Sequence, residues 1–461
     1  MRTKSSPPPT HLMWLLLLVL SFSPSCLQAM APIQKTVLPN GMTILQSEDH
    51  SLPFVTIQLL VDGGSTRDPS GQEGLSHITA KTLLLGSESN SALQISQELD
   101  FMGASLNSTS GRDYSMVSLR VLKKDLLKGF GLFMDALTHP TFPEEEIKRE
   151  VEKTLAALQS QEDDPGTLAE RDFLKALFPD SPYGNPVEGT KATLPKLTRD
   201  MVMKHYRSYY IPSNSILTIV GDITSEEAKT SLLSRLGKLP AGKSPDRAAR
   251  VDHAAKAEAI CISRPITQAN IVLGHDGIKR DNPDFYALSV MNYILGRGGF
   301  SSRLNEEVRA KRGLAYSITS FFDAGKNSGS FQVVLQTKNE SAKEAIDLSL
   351  KEMEKIRKEP VSEKELERAK KYLIGSFPMR LDTQAKLASF MTQLEYYGLG
   401  LEYDRRYSSL IGSVTREDIL RVASTYLHPE RLIIVVVGDF DGDRINWPAP
   451  LPAMDKANIR P

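Results

Sequence analysis

Apolar residues along this chain follow two alternating patterns. Short runs rich in β-branched residues, such as "VTIQLLVDGG" (55–64) and "GSFQVVLQT" (329–337), are bounded by turn residues and predict strands. Between such runs lie longer stretches, 143–161 and 341–357, whose apolar positions recur every three or four residues and predict amphipathic helices. Some strands follow one another with no helix between. That order favours an α+β fold, with helices mainly on one face of each sheet, over a doubly wound sheet.

The pattern also repeats. "LTRDMVMKHYRSYYIPSNSILTIVGDI" (197–223) aligns without a gap on "VTREDILRVASTYLHPERLIIVVVGDF" (414–440). Thr198 falls on Thr415, Tyr209 on Tyr426, Pro212 on Pro429 and Asp222 on Asp439, each pair 217 apart. Each copy reads as a Thr-capped helix, a Pro turn and a buried strand ending in Gly-Asp. A weaker echo relates "EEIKRE" (145–150) to "KELERA" (364–369) at offset 219. The period is far too long for a solenoid, so the chain reads as two homologous domains, each a mixed β-sheet with its helices. They span 32–237 and 260–461, joined by a polar linker without apolar periodicity, 238–259.

The amino terminus departs from this pattern. Arg2 and Lys4 precede the apolar run "LMWLLLLVL" (12–20), and small residues follow, which reads as a secretory signal peptide over 1–31. The run is too short for an ordinary membrane span, so no stable span is expected after its removal. The expectation is export to the periplasm, with a lipid-anchored form through Cys26 as the alternative. Removal of the signal leaves Cys261 as the only cysteine, and hence no internal disulfide. Lys plus Arg and Asp plus Glu are both 56, so no basic footprint points to nucleic acid.

"LPNGMTIL" (38–45), "GGSTRDP" (63–69), "GLSHITAKTLLLGS" (74–87), "SPYGNPVEGT" (181–190) and the strands ending in Gly-Asp form a consistent series. Across roughly residues 35–442 the chain resembles the insulinase/pitrilysin family of zinc peptidases, and within it the short, two-domain processing-peptidase branch. The resemblance puts the family's inverted zinc motif, His-x-x-Glu-His, on His77, Ala80 and Lys81. Its third ligand, a glutamate on a later helix, falls on Ala157, and the acid upstream of that ligand falls on Glu150. A catalytic zinc needs about three protein ligands and a water, and the water needs a carboxylate base. One histidine supplies neither. No metal, no cofactor and no catalytic residue in cis are therefore expected, and His77 reads as a helix histidine without a role. Lys81 is expected to pair with Glu150, its ammonium replacing the charge of the missing ion, the alternative being a lysine turned out to solvent.

The second half retains more. "GRGGFSSRLNEEVRAKRGLAYSI" (296–318) holds a Gly-rich turn, a helix and a strand. Spacing alone makes Arg309 the end of a surface helix and Tyr316 a sheet residue. The family register implies more: an Arg and a Tyr seven residues apart that bind substrate, with Gly298 and Gly299 as a substrate-contacting loop. Both side chains donate hydrogen bonds suited to a peptide carbonyl and to the oxyanion formed from it. The resemblance thus implies the non-catalytic subunit of an exported zinc metallopeptidase, in a heterodimer with a homologous zinc-bearing subunit and a peptide substrate. The alternative is a peptide-binding or scaffold protein of the same fold with no part in catalysis.

Overall fold

The computed structural model describes residues 32–440, except Asp180 and most of 244–256, together with the short strand Ile459–Arg460. The segment read as a signal peptide, Cys26 included, lies outside the described residues.

Two sheets organise these residues. The first contains β1 (Gln34–Val37), β2 (Thr43–Glu48), β3 (Phe54–Val61), β4 (Ser105–Ser110), β5 (Ser115–Leu122) and β6 (Ser215–Gly221), in the order β1-β2-β6-β3-β5-β4. The second contains β7 (Glu258–Ser263), β8 (Gln268–Asp276), β9 (Ala315–Ala324), β10 (Gly329–Lys338), β11 (Ile433–Gly438) and β12 (Ile459–Arg460), in the order β12-β7-β11-β8-β10-β9. From β2 and β7 onward the two orders are the same. In each sheet the late strand inserts next to the early one in parallel, β6 beside β2 and β11 beside β7, while the remaining core pairs are antiparallel. The sheets are mixed and the halves share one topology, as the repeat requires. β7 starts at Glu258, two residues inside the stretch read as linker.

The repeated segments form as their residues dictate. Thr198 and Thr415 each accept a backbone N–H at the start of helices Arg199–Tyr209 and Arg416–Tyr426. Pro212 and Pro429 then open single 3-10 turns, and the β-branched runs that follow become β6 and β11. β11 is buried along its whole length, so both of its faces are covered.

Helices of the same half cover one face. Helices thus lie mainly on one face of each sheet, and the other face is covered by a helix from the opposite half. Helix Pro165–Leu177 of the first half lies on the second sheet, with Leu168, Phe173 and Leu177 against Ile260, Val272 and Val435. Helix Gln384–Tyr396 of the second half lies on the first sheet, with Leu387, Ala388 and Met391 against Leu45 and Val220. These helices are themselves repeat partners, Pro165 and Gln384 being 219 apart. Fully burying a Leu or Phe contributes about 1.5–3 kcal/mol, so this reciprocal exchange, more than the linker, holds the halves together.

Candidate functional site

Helix Leu75–Thr82 carries the degenerate motif, and its start is built by two loops. Gly74 takes φ of 95° and offers no capping side chain. Asp68 caps the helix instead, accepting the Gly74 and Ser76 N–H groups at 2.9 and 2.8 Å. Burial lifts its carboxyl to about 7, although both N–H bonds favour the charged form. Gly74 and Gly189 meet back to back. A Cβ on Gly74 would stand 2.5 Å from the Glu188 carbonyl, and Thr193 Oγ1 ties the loop down by donating to the Glu73 carbonyl at 2.8 Å. This close backbone contact carries Glu188 to the side of His77.

His77 is pulled below its ordinary pKa chiefly by burial, with Glu188 and Glu150 pulling upward and Lys81 downward. At neutral pH it is a neutral imidazole among two carboxylates and one ammonium. Glu188 escaped the sequence reading because only a contact between chain segments about 110 residues apart brings it here; the paired glycines of "EGLS" and "VEGT" were the available signal.

The residues around His77 do not fit a zinc ion. Ala80 is fully buried and fills the catalytic glutamate's place with a methyl group. Ala157 is exposed on helix Glu144–Glu162 and offers no donor atom. Among the described residues no three His, Cys, Asp or Glu side chains gather in a metal-binding group. The expected pairing of Lys81 with Glu150 does not form. Glu150 pairs with Lys153 on its own helix at 3.4 Å, and Lys81 is exposed. Lysine entropy and hydration favour the outward rotamer, and an in-helix partner already meets the needs of the glutamate.

In the second half, the Gly-rich stretch forms the short 3-10 turn Gly299–Ser301, and the helix that follows is wound wide, with five-residue hydrogen-bond spacing over Asn305–Ala310. Gly298 donates to the Tyr293 carbonyl at 2.9 Å, and a Cβ there would stand 2.6 Å from that oxygen. Gly299 has φ of 56° with open space around it. Both glycines therefore have backbone reasons to be glycine. Arg309 is the penultimate residue of the wide helix Asn305–Ala310, its guanidinium 4.7 Å from the centre of the Phe300 ring. Its neighbours Lys311 and Arg312 pair with Glu307 and Glu344, whereas among the described residues Arg309 has no carboxylate partner. Tyr316 lies on the edge strand β9 and is 72% exposed. Tyr316 thus presents its hydroxyl to the outside of the chain, while Arg309 is half-buried beside the exposed Phe300 ring. Cys261 is buried in β7 with its thiol pushed up to about 11, an inert packing residue.

Residues 43–191 match the family described as insulinase (peptidase family M16), and residues 196–373 match the peptidase M16 inactive domain. A protein of Streptomyces coelicolor called an uncharacterized zinc protease is 29% identical over 423 residues, covering 90% of this chain and 92% of that one. A Helicobacter pylori protein called a non-peptidase homolog is 26% identical over 419 residues, 91% of this chain and 96% of its own. The solved peptidase M16 inactive domain from Pseudomonas fluorescens superposes with a TM-score of 0.83 at 28% identity, covering 89% of this chain and 98% of that one. A protease from Helicobacter pylori shares the fold, with a TM-score of 0.79 at 19% identity over 88% of this chain and 99% of its own.

Proposed function

We propose, for a chain that belongs to the insulinase (M16) peptidase family yet keeps one of that family's three zinc ligands, a role as accessory subunit of an exported zinc peptidase. The chain is a non-catalytic peptidase-like protein. In this reading a homologous partner holds zinc and its base, and this chain supplies Arg309 and Tyr316 to the substrate carbonyl, in the periplasm. The observation that carries it is an exposed tyrosine on an edge strand, in a half that also holds, among the described residues, an arginine without a carboxylate partner. A guanidinium and a phenol can both stabilise negative charge developing on a peptide carbonyl oxygen.

The test is co-expression with a homologous chain bearing an intact His-x-x-Glu-His motif, followed by zinc analysis and a peptidase assay. Arg309→Ala and Tyr316→Phe are expected to lower turnover by about 10²–10³, the range for a lost oxyanion donor, without loosening the complex. Wild-type rates for both variants in a confirmed complex, or no association with any such chain, overturn the reading. The scaffold alternative draws support from the Helicobacter pylori relative called a non-peptidase homolog. It predicts stable assembly in which activity is indifferent to both residues.

A further inference from the structure

A groove runs along the second half, lined by its helices and by Phe321–Asp323 of β9. Two cavities of about 630 and 640 Å³ adjoin there, sharing a wall that includes Phe285, Leu373, Met379 and Arg380. Together they exceed the volume of an ordinary small-molecule site. Three arginines line them: Arg280, Arg380 and Arg297. Among the described residues none of the three has a carboxylate within ion-pair distance. The lining includes one carboxylate, Asp323, and its one lysine, Lys386, is paired with Asp382 at 2.7 Å. In a chain of zero net charge, this is a local excess of positive charge over an apolar floor.

The arginines differ in how they are held. The Arg280 guanidinium lies 3.7 Å from the centre of the Phe285 ring and donates to the Tyr403 hydroxyl at 3.1 Å, which fixes it at the groove wall. Arg380, exposed, stands 5.7 Å from the Tyr407 ring, and Arg297 is exposed at the far cavity. A guanidinium spread on an aromatic face keeps its edge N–H donors free for a carboxylate.

We propose that this groove binds an extended acidic peptide segment, its carboxylates on Arg280, Arg297 and Arg380 and its apolar side chains on Leu373 and Met379. Single-stranded nucleic acid fits less well, because base stacking needs free ring faces. Most aromatic faces here are already used: Phe377 stacks on Tyr407 at 4.2 Å, Tyr372 lies against Tyr293 at 4.9 Å, and Arg280 covers Phe285. The groove belongs to the isolated chain, so this proposal stands or falls without the zinc-bearing partner.

The test uses the full chain alone and fluorescence anisotropy. The probe is a fluorescein-labelled peptide alternating Leu with pairs of Glu; the controls are the same peptide with Lys for every Glu, and a labelled oligouridine. The acidic peptide is expected to bind, more weakly as salt rises, and the lysine peptide and oligouridine are not. The double variant Arg297→Glu/Arg380→Glu changes only exposed side chains, and unchanged thermal melting verifies its fold. It is expected to weaken acidic-peptide binding by about tenfold or more. No binding of the acidic peptide, equal binding of the lysine peptide, tighter binding of oligouridine, or an unaffected double variant each overturns the proposal.

Discussion

Thr218 in the first sheet and Thr392 on the helix sent over from the second half share a fully buried hydrogen bond of 2.8 Å. The Thr392 hydroxyl proton is committed to the Ala388 carbonyl, also at 2.8 Å, so Thr218 donates and Thr392 accepts. Thr392→Val leaves the Thr218 hydroxyl buried without an acceptor and is expected to cost about 1–3 kcal/mol, whereas Thr218→Val strands no donor and costs about 1 kcal/mol. The double variant should be less destabilised than the sum of the two singles. Urea unfolding of all four proteins checks this, and strict additivity would show that the two hydroxyls are not coupled.

Two glycines with similar backbone angles are expected to respond differently to a methyl group. Gly71 has φ of 79° and nothing within 4 Å of an added Cβ, so Gly71→Ala should cost about 1–2 kcal/mol from the backbone alone. Gly74, at φ of 95°, would also drive that Cβ against the Glu188 carbonyl, and Gly74→Ala should be clearly worse. It should also lower the His77 pKa further, because Glu188 is one of the charges raising it. Imidazole titration by NMR reads the second effect; an unmoved His77 in a folded Gly74→Ala protein argues against the Gly74–Gly189 contact as the element that places Glu188.

Acid should destabilise the fold through its buried histidines. Burial holds His205 at about 3 and His275 at about 4, against an ordinary value near 6.5. Both His205 ring nitrogens lack partners, while His275 Nε2 accepts the His428 N–H at 3.1 Å, so its Nδ1 carries the proton donated to the Asp276 carbonyl. The unfolded chain protonates both as pH falls below about 6.5 and the folded chain does not, so stability falls with pH through that window down to about 4. Each histidine contributes a slope of about 1 kcal/mol per pH unit. His205→Phe should flatten the acid limb of a chemical-denaturation series; an unchanged limb would rule out a buried neutral His205.

The emptied motif is expected to accept rebuilding. Lys81 and Ala157 are both exposed, so Lys81→His with Ala157→Glu adds two donor groups at little cost to the core. With His77 that makes three ligands, and the double variant should purify with close to one zinc per chain by elemental analysis, the parent with none. Peptide hydrolysis should stay absent, because Ala80 still leaves no base. Zinc at one equivalent in the parent, or none in the variant, would contradict the placement of these positions.

Much of this protein was legible in the residues. Periodicity and turn residues located strand Phe54–Val61, strand Gly329–Lys338 and the long helices Glu144–Glu162 and Ala342–Lys358, because local pattern follows directly from which side of an element faces the core. The constant offset between Thr198 and Thr415 announced two copies of one domain, and Ala80, Lys81 and Ala157 announced a zinc site without its ligands, since donor chemistry is a property of residue type. Only the tertiary structure decided which half each helix serves: an apolar face on Pro165–Leu177 or Gln384–Tyr396 demands burial but does not name the sheet that provides it. It also decided that Lys81 faces outward and that Glu188 joins Glu150 and Lys81 among the charges around His77. Those outcomes depend on contacts between residues far apart in sequence, where small differences in packing and solvation choose among partners that the sequence leaves equally available.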